Sequence, residues 1–143
     1  MPAVRAVPER SFVLHTPPDD GMTAIHEALE ELWAESPGLG SWDRMSFTTA
    51  LVEVTSNIVQ HARSSRPVVC RVEIRVDDLE MRAVLSDSGE AADIDVAERR
   101  DMPDEWEEAG RGIPFIQALV TSFEHRRVDG QNVWTIVRER KRS

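Results

Sequence analysis

The spacing of the apolar residues changes abruptly within residues 43–87, and the change limits the folds that the chain can form. Between residues 43 and 63, apolar side chains recur at every third or fourth position, which is the period of one face of an α-helix. Between residues 66 and 87 they alternate with polar side chains, which is the period of a half-buried strand. These two patterns in succession predict a sheet packed against helices.

The segment before residue 43 predicts one strand and one further helix. Residues 10–16 alternate weakly, as a strand does, and the PPDDG that follows ends this strand. Either Asp19 or Asp20 in that segment is a candidate helix cap. Residues 21–35 then carry apolar positions three and four apart, so they predict an amphipathic helix.

Residues 66–76 and 79–87 predict two strands, joined as a hairpin by a turn at Asp77 and Asp78. The side chains predicted to face inward on these strands are Val68, Cys70, Val72, Ile74 and Val76, then Leu79, Met81, Ala83 and Leu85. The apolar stripe predicted for the preceding helix consists of Phe47, Leu51, Val54, Ile58 and Ala62.

The rest of the chain predicts a third helix and a second hairpin. The helix begins in GRGIPFIQALVTSF, with Pro114 in its first turn, where proline is tolerated. Its predicted inward residues are Ile113, Ile116, Leu119, Val120 and Phe123. The last hairpin turns near Asp129 and Gly130. This order of elements favours an α+β two-layer sandwich, with a largely antiparallel sheet and three helices on one face.

Length, charge and cysteine content narrow the functional class. A chain of 143 residues is the size of one domain, so we expect a single domain over residues 1–143. The formal net charge of −9 argues against direct binding of nucleic acid. No apolar run reaches the roughly 18 residues of a membrane span, and the amino terminus lacks a secretory signal. The single cysteine, Cys70, fits a cytoplasmic protein.

Three polar residues stand at steps of four on the helix predicted over residues 43–63. Each step advances about 40°, so Glu53, Asn57 and His61 form a column beside the apolar stripe. Such a column can face a cleft, where Glu53 accepts a proton, Asn57 offers an oxygen to magnesium and His61 braces either of them. The alternative is that the column is only the polar border of the helix.

A D-x-G motif, Asp87 and Gly89, stands where the second strand of the hairpin ends. A buried carboxylate at a strand end can receive an exocyclic amine such as that of adenine, and glycine lets the backbone approach a ligand closely. The alternative is an ordinary turn, since Asp, Ser and Gly are common turn residues.

A G-x-G motif, Gly110 and Gly112, opens the third helix. Free amide groups at a helix amino terminus suit a polyphosphate, although the same glycines also fit a hinge. A phosphate-binding P-loop is excluded because Lys141 is the only lysine and does not follow such glycines. The acidic segment over about residues 90–109 lacks periodicity, and a long connection of this kind is usually disordered or functional.

Taken together and in order, these motifs resemble the nucleotide-binding boxes of the histidine-kinase-like ATPases. The matching residues are Glu53, Asn57, His61 and Ala62 on a helix, Asp87 and Gly89 after a strand, and Gly110 and Gly112 before a helix. Within that superfamily, the short form and the wording GRG-I-x-F-I-x-x-L are similar to the anti-sigma-factor serine/threonine kinases of bacteria. The resemblance covers about residues 10–140 and implies the Bergerat-type fold, with a mixed, mostly antiparallel sheet.

The resemblance implies ATP and Mg²⁺ as ligands and assigns roles to the motif residues. Glu53 would be the general base for a serine hydroxyl or a water, Asn57 the magnesium ligand and Asp87 the acceptor of the adenine amine. Gly89 would allow the nucleotide to approach closely.

The resemblance also implies how the phosphates are held and which proteins take part. Gly110 and Gly112 would flank the phosphates, Arg111 is a further candidate contact, and residues 90–109 would be the mobile ATP lid. Family members bind a sigma factor, often as homodimers, and phosphorylate an anti-anti-sigma protein of the STAS type. The alternative is a non-catalytic ATP-binding module of the same fold that acts by protein contact.

Overall fold

A computed structural model of the chain describes residues 7–62, 67–92, 95–98 and 112–141, with the backbone alone at residues 61 and 62. The described residues form five strands and three helices in the predicted order. These elements are β1 (Glu9–Thr16), α1 (Met22–Ala34), α2 (Ser41–Ala62), β2 (Val68–Val76), β3 (Glu80–Asp87), α3 (Gly112–Leu119), β4 (Ser122–Val128) and β5 (Gln131–Glu139).

The strands form one sheet in the order β1-β2-β3-β5-β4, and every neighbouring pair of described strands is antiparallel. The α+β class is therefore confirmed, and the sheet is wholly antiparallel rather than mixed within the described residues. Strand β2 alternates strictly between buried and exposed residues, as its sequence predicts. Strand β5, the last of the described strands along the sequence, lies in the interior of the sheet between β3 and β4, while β4 lies at an edge.

The core lies between the helices and one face of the sheet. Its fully buried side chains include Ile25, Leu29 and Leu32 from α1, Phe47, Leu51 and Val54 from α2, and Val72, Ile74, Met81, Leu85 and Ile136 from the sheet. Each such burial contributes about 1.5–3 kcal/mol, so this layer is the main source of stability. The stripe predicted for α2 is confirmed at Phe47, Leu51, Val54 and Ile58, while the side chain of Ala62 lies outside the described residues.

The prediction is wrong in detail for two residues that were expected to face inward, Leu79 and Phe123. In both cases a hydrogen bond, rather than the apolar period, sets where the strand begins or the helix ends. Leu79 is 65% exposed, since the carboxylate of Asp77 accepts its backbone N–H and closes the turn before β3 begins. Phe123 is buried, but from β4 rather than from the third helix. That helix ends at Leu119 because the N–H of Thr121 already donates to the carbonyl of Val137 on β5.

The capping of α1 also differs from the prediction. Gly21, with φ of 84°, is the N-cap, and a Cβ there would lie 2.7 Å from Cγ2 of Thr55, so both conformation and packing favour glycine. Asp20 accepts the N–H of Met22 from one position before the cap, and Asp19 accepts the N–H of His15 instead. The hairpin between β4 and β5 turns as predicted, with positive φ at the two residues 129 and 130.

A buried ion pair fixes α2 to the end of β5. Asp43, in the first turn of α2, accepts from the Arg138 guanidinium at 3.0 Å and from the N–H of Lys141 at 3.0 Å. Asp43→Asn should lower the free energy of unfolding by about 1.5–3 kcal/mol, since it removes a charge and sets an amide N–H against these donors. Urea unfolding measures the loss, and Asp78→Asn in an exposed turn serves as the control. A loss of stability no larger than that of the control would contradict a stabilising role for the pair.

Candidate functional site

Strand β3 ends at Asp87, whose side chain points to the helix-covered face of the sheet. The antiparallel register sets Asp87 opposite Cys70 on β2 and opposite Asn132 on β5. All three side chains are buried, and that of Asp87 is only 4% exposed. The prediction that Asp87 stands at a strand end is therefore confirmed. The neighbouring strands β2 and β5 flank its carboxylate.

Three N–H groups donate to the carboxylate of Asp87. Its Oδ1 accepts the backbone N–H of Gly89 at 2.9 Å and the side-chain amide of Asn132 at 3.0 Å. Its Oδ2 accepts the indole N–H of Trp134 at 2.7 Å. A carboxylate offers about four acceptor positions, so one position on Oδ2 is unused by the described residues. That position can take one further donor.

Asn132 connects this carboxylate to the residues that follow it. Its Nδ2 donates to Oδ1 of Asp87 and to the carbonyl of Glu90 at 2.7 Å. Its Oδ1 accepts the backbone N–H of Ala92 at 3.0 Å and lies 2.9 Å from Nε2 of His125. Because Asp87 and the Glu90 carbonyl only accept, the orientation of the amide is fixed, and Nε2 of His125 must carry a hydrogen.

Asn132, Trp134 and His125 belong to no motif that the sequence predicts as functional. The only signal in the sequence is that Asn132 and Trp134 occupy inward positions at the start of a strand, where polar or hydrogen-bonding side chains need partners. The partners themselves follow from the register of β5 between β3 and β4, which periodicity does not reveal.

Cys70 borders the same carboxylate but is not a reactive group. Burial, together with the charge of Asp87, raises the pKa of the Cys70 thiol to about 12. A thiol with such a pKa stays protonated at neutral pH and is a poor nucleophile. Cys70 therefore belongs to the packing around the site.

A second group of candidate residues lies where α2 meets α3. Glu53 and Asn57 are partly exposed and stand one helical turn apart. A Cβ built on Gly112, the first residue of α3, would lie 3.3 Å from Nδ2 and 3.4 Å from Oδ1 of Asn57. The absence of a side chain at Gly112 thus makes room for the Asn57 amide. Within the described ranges, neither Glu53 nor Asn57 has a hydrogen-bonding side-chain partner.

Gly89 has a structural task in addition to the role predicted for it. Its N–H closes a short turn onto Asp87, and a Cβ there would lie 2.9 Å from Oδ1 of the same residue. The carbonyl of Gly89 accepts from the Arg127 guanidinium at 2.8 Å. Glycine is therefore required for the turn itself, whatever else approaches it.

Two described pieces of the predicted lid contact the rest of the fold. Gln117 on α3 donates from Nε2 to the carbonyls of Val96 and Glu98, at 2.8 Å and 2.7 Å. Val96 is buried in the core. The predicted phosphate contacts Gly110 and Arg111 lie outside the described residues, as does the side chain of His61.

Neither a membrane span nor a preformed metal cluster is found in the part of the chain that the structure describes. None of its helices combines the length and the apolar character of a bilayer-crossing segment. No three His, Cys, Asp or Glu side chains come together there as a metal site.

The fold and this site define a class of protein. The described residues form an α+β sandwich in which a helix-covered antiparallel sheet carries a buried carboxylate at a strand end, and the junction of two helices carries Glu53 and Asn57. The family model of the histidine kinase-like ATPase domain matches residues 18–138, so the chain belongs to that family. Membership implies that the domain binds ATP.

A solved structure supports the fold independently. The crystal structure of the RsbU and RsbW domains of Rv1364c from Mycobacterium tuberculosis matches with a TM-score of 0.53 and 20% sequence identity. The match covers 94% of this chain and 34% of that chain, so the present chain spans about a third of the matched protein. A comparison with curated proteins gave no significant match.

Proposed function

We propose that this chain is an ATP-dependent protein-serine/threonine kinase and anti-sigma factor. It binds a sigma factor and phosphorylates an anti-anti-sigma protein of the STAS type. Support comes from the family, from the motif wording GRG-I-x-F-I-x-x-L and from the similarity in fold to a structure that contains an RsbW domain. The observation that carries the proposal is Glu53, a partly exposed carboxylate one turn from Asn57 at the junction with α3.

Glu53 supplies the base that a hydroxyl nucleophile needs. In the transfer step, the serine oxygen of the substrate protein bonds to the γ-phosphorus and the bond from that phosphorus to the bridging oxygen of ADP breaks. Glu53 takes the hydroxyl proton, and ADP leaves. A carboxylate without a structural partner in the described residues is available for this transfer, whereas one held in an ion pair is not.

Asn57 and the start of α3 hold the phosphates. The side-chain oxygen of Asn57 would serve as one ligand of Mg²⁺, an ion that prefers oxygen ligands. The metal ion supplies charge neutralisation for the transferred group. Gly110 and Gly112 would flank the phosphates, with Arg111 as a further candidate contact, since the dipole of a helix amino terminus favours negative charge.

Asp87 recognises the base. Its remaining acceptor position on Oδ2 receives the adenine amine, while Gly89 lets the base approach the turn. The protein acts in the cytoplasm as a homodimer of one domain over residues 1–143, and residues 90–109 act as the ATP lid.

Isothermal titration calorimetry of the natural chain with ATP, with and without Mg²⁺, tests this function. We expect binding that requires Mg²⁺ for full affinity. A folded chain, verified by circular dichroism, that binds no ATP in either condition would overturn the proposal. Binding without any effect of Mg²⁺ would remove the role given to Asn57.

Gly112→Ala should weaken Mg²⁺-dependent ATP binding about tenfold, because the new methyl group displaces the Asn57 amide that it would approach to 3.3 Å. The free energy of unfolding should change by less than about 1 kcal/mol, since alanine also favours the helix. Calorimetry and urea unfolding measure the two effects. Gly40→Ala is the matched control, because a Cβ there meets nothing within 4 Å. If Gly112→Ala binds ATP with unchanged affinity, Asn57 takes no part in nucleotide binding.

A further inference from the structure

We propose that Trp134 and Asn132, supported by His125, are positioning residues for recognition of the nucleotide base. Together with Asp87 they form a base-recognition network that holds the carboxylate in one orientation and leaves one acceptor position for an exocyclic amine. The inference rests on the proposed function, because it concerns the same nucleotide site. It assigns that site three residues from β4 and β5 that the sequence motifs do not include.

The network joins three adjacent strands on the helix-covered face. Asp87 on β3 lies opposite Asn132 on β5, and Trp134 on β5 lies opposite His125 on β4. Asp87, Asn132 and Trp134 are buried, and His125 is partly buried. A hydrogen-bonded group in this position is held by the sheet itself, so its geometry is far more precise than that of a loop residue.

The three donors fix the rotation of the Asp87 carboxylate and determine how many further hydrogen bonds it can accept. The χ2 torsion of Asp has broad minima, so an unrestrained carboxylate rotates readily. The Gly89 N–H and the Asn132 amide occupy Oδ1, and the Trp134 indole occupies one side of Oδ2 at 2.7 Å. The remaining position accepts one N–H, which is what the amino group of adenine offers.

His125 contacts both of the β5 side chains that donate to Asp87, which are Asn132 and Trp134. Its Nε2–H donates to the Asn132 oxygen at 2.9 Å, which keeps the amide nitrogen toward Asp87. Its ring also packs on the Trp134 indole, with ring centroids 4.3 Å apart. Both contacts limit the motion of the two side chains that hold the Asp87 carboxylate in its orientation.

The network has a consequence for base selectivity. A hypoxanthine base presents a carbonyl oxygen in place of the adenine amine, and this oxygen would face the carboxylate. Its ring N–H lies beside that oxygen, so it reaches the open position only if the base or the carboxylate shifts, and the Trp134 indole restrains the carboxylate. Removing the indole N–H lets the carboxylate rotate and frees a second acceptor position on Oδ2, so a hypoxanthine nucleotide should then bind relatively better.

The test compares ATP with inosine triphosphate, each with Mg²⁺, by calorimetry. Trp134→Phe keeps an aromatic ring against His125 and Phe123 and removes the indole donor together with part of the ring volume. We expect the affinity for ATP to fall about tenfold and the preference for ATP over inosine triphosphate to fall about tenfold as well. Trp33→Phe, a partly buried tryptophan on α1, is the control and should change neither value more than about twofold.

The outcomes separate this inference from the proposed function. Equal weakening of both nucleotides by Trp134→Phe, with the preference unchanged, would show a merely structural tryptophan and overturn the inference alone. Absence of ATP binding by the folded natural chain would overturn both.

A second measurement needs no variant and applies if Trp134→Phe does not fold. In ¹⁵N NMR spectra of the natural chain, the Trp134 indole resonance should move on addition of ATP, while those of Trp33 and Trp42 should not. An unmoved Trp134 resonance in a chain that binds ATP would overturn the inference.

Discussion

An Asp87→Asn variant should lose at least about a hundredfold in affinity for ATP. All three groups that point at this carboxylate are N–H donors, from Gly89, Asn132 and Trp134. An amide in either orientation sets its own N–H against at least one of them, which costs about 1–3 kcal/mol for a buried unsatisfied donor. The same change removes the charge and the open acceptor position that the adenine amine requires.

Calorimetry with ATP and Mg²⁺ measures this loss, and urea unfolding measures how much stability is lost with it. Asp77→Asn is the matched control, because the Asp77 carboxylate also accepts backbone N–H groups, but at the opposite end of the hairpin. The control should bind ATP with unchanged affinity. An Asp87→Asn protein that stays folded and binds ATP within about threefold of the natural chain would refute the base-binding role.

Glu53→Ala should reduce phosphoryl transfer at least about a thousandfold, while the affinity for ATP changes less than about threefold. General-base catalysis contributes about 10²–10⁴ in rate, and the partly exposed Glu53 side chain makes no hydrogen bond or ion pair with the described residues. The effect should therefore appear in the transfer step and not in nucleotide binding.

Single-turnover transfer of labelled phosphate from ATP to a STAS-domain protein measures the rate, and calorimetry measures the affinity. Glu30→Ala, on the exposed side of α1, should leave both unchanged. Transfer that survives in Glu53→Ala would exclude Glu53 as the base. A natural chain that binds ATP and a partner but transfers no phosphate would favour the non-catalytic module.

The regular elements could be predicted because burial imposes a period on the sequence. Helix α2 and strand β2 each carry one long, uninterrupted pattern, and the structure confirms their type and those of their inward side chains that it describes. Element ends were less predictable, since backbone partners decide them. Leu79 and Phe123 each fall beside such an end, where a turn or a strand pairing replaces the periodic element.

The candidate site could be predicted only where its residues belong to one local segment. Asp87 ends a strand and Asn57 stands on a helix, so local patterns were sufficient to select both. Trp134 and His125 approach Asp87 only because β5 inserts between β3 and β4, a pairing between segments distant in sequence. Two similar hairpins give no local sign of which strand enters the interior of the sheet.

That insertion sets the order in which a newly made chain can acquire its nucleotide site. Asn132 and Trp134 follow Asp87 by 45 and 47 residues, so they leave the ribosome well after the carboxylate that they orient. Contacts between such distant residues also form slowly, because a long loop must close before any stabilisation is gained. A nascent chain that ends before β5 has helices and a partial sheet available to it, but not the donors that orient Asp87. ATP binding by a nascent chain is therefore expected only after β5 has been inserted into the sheet.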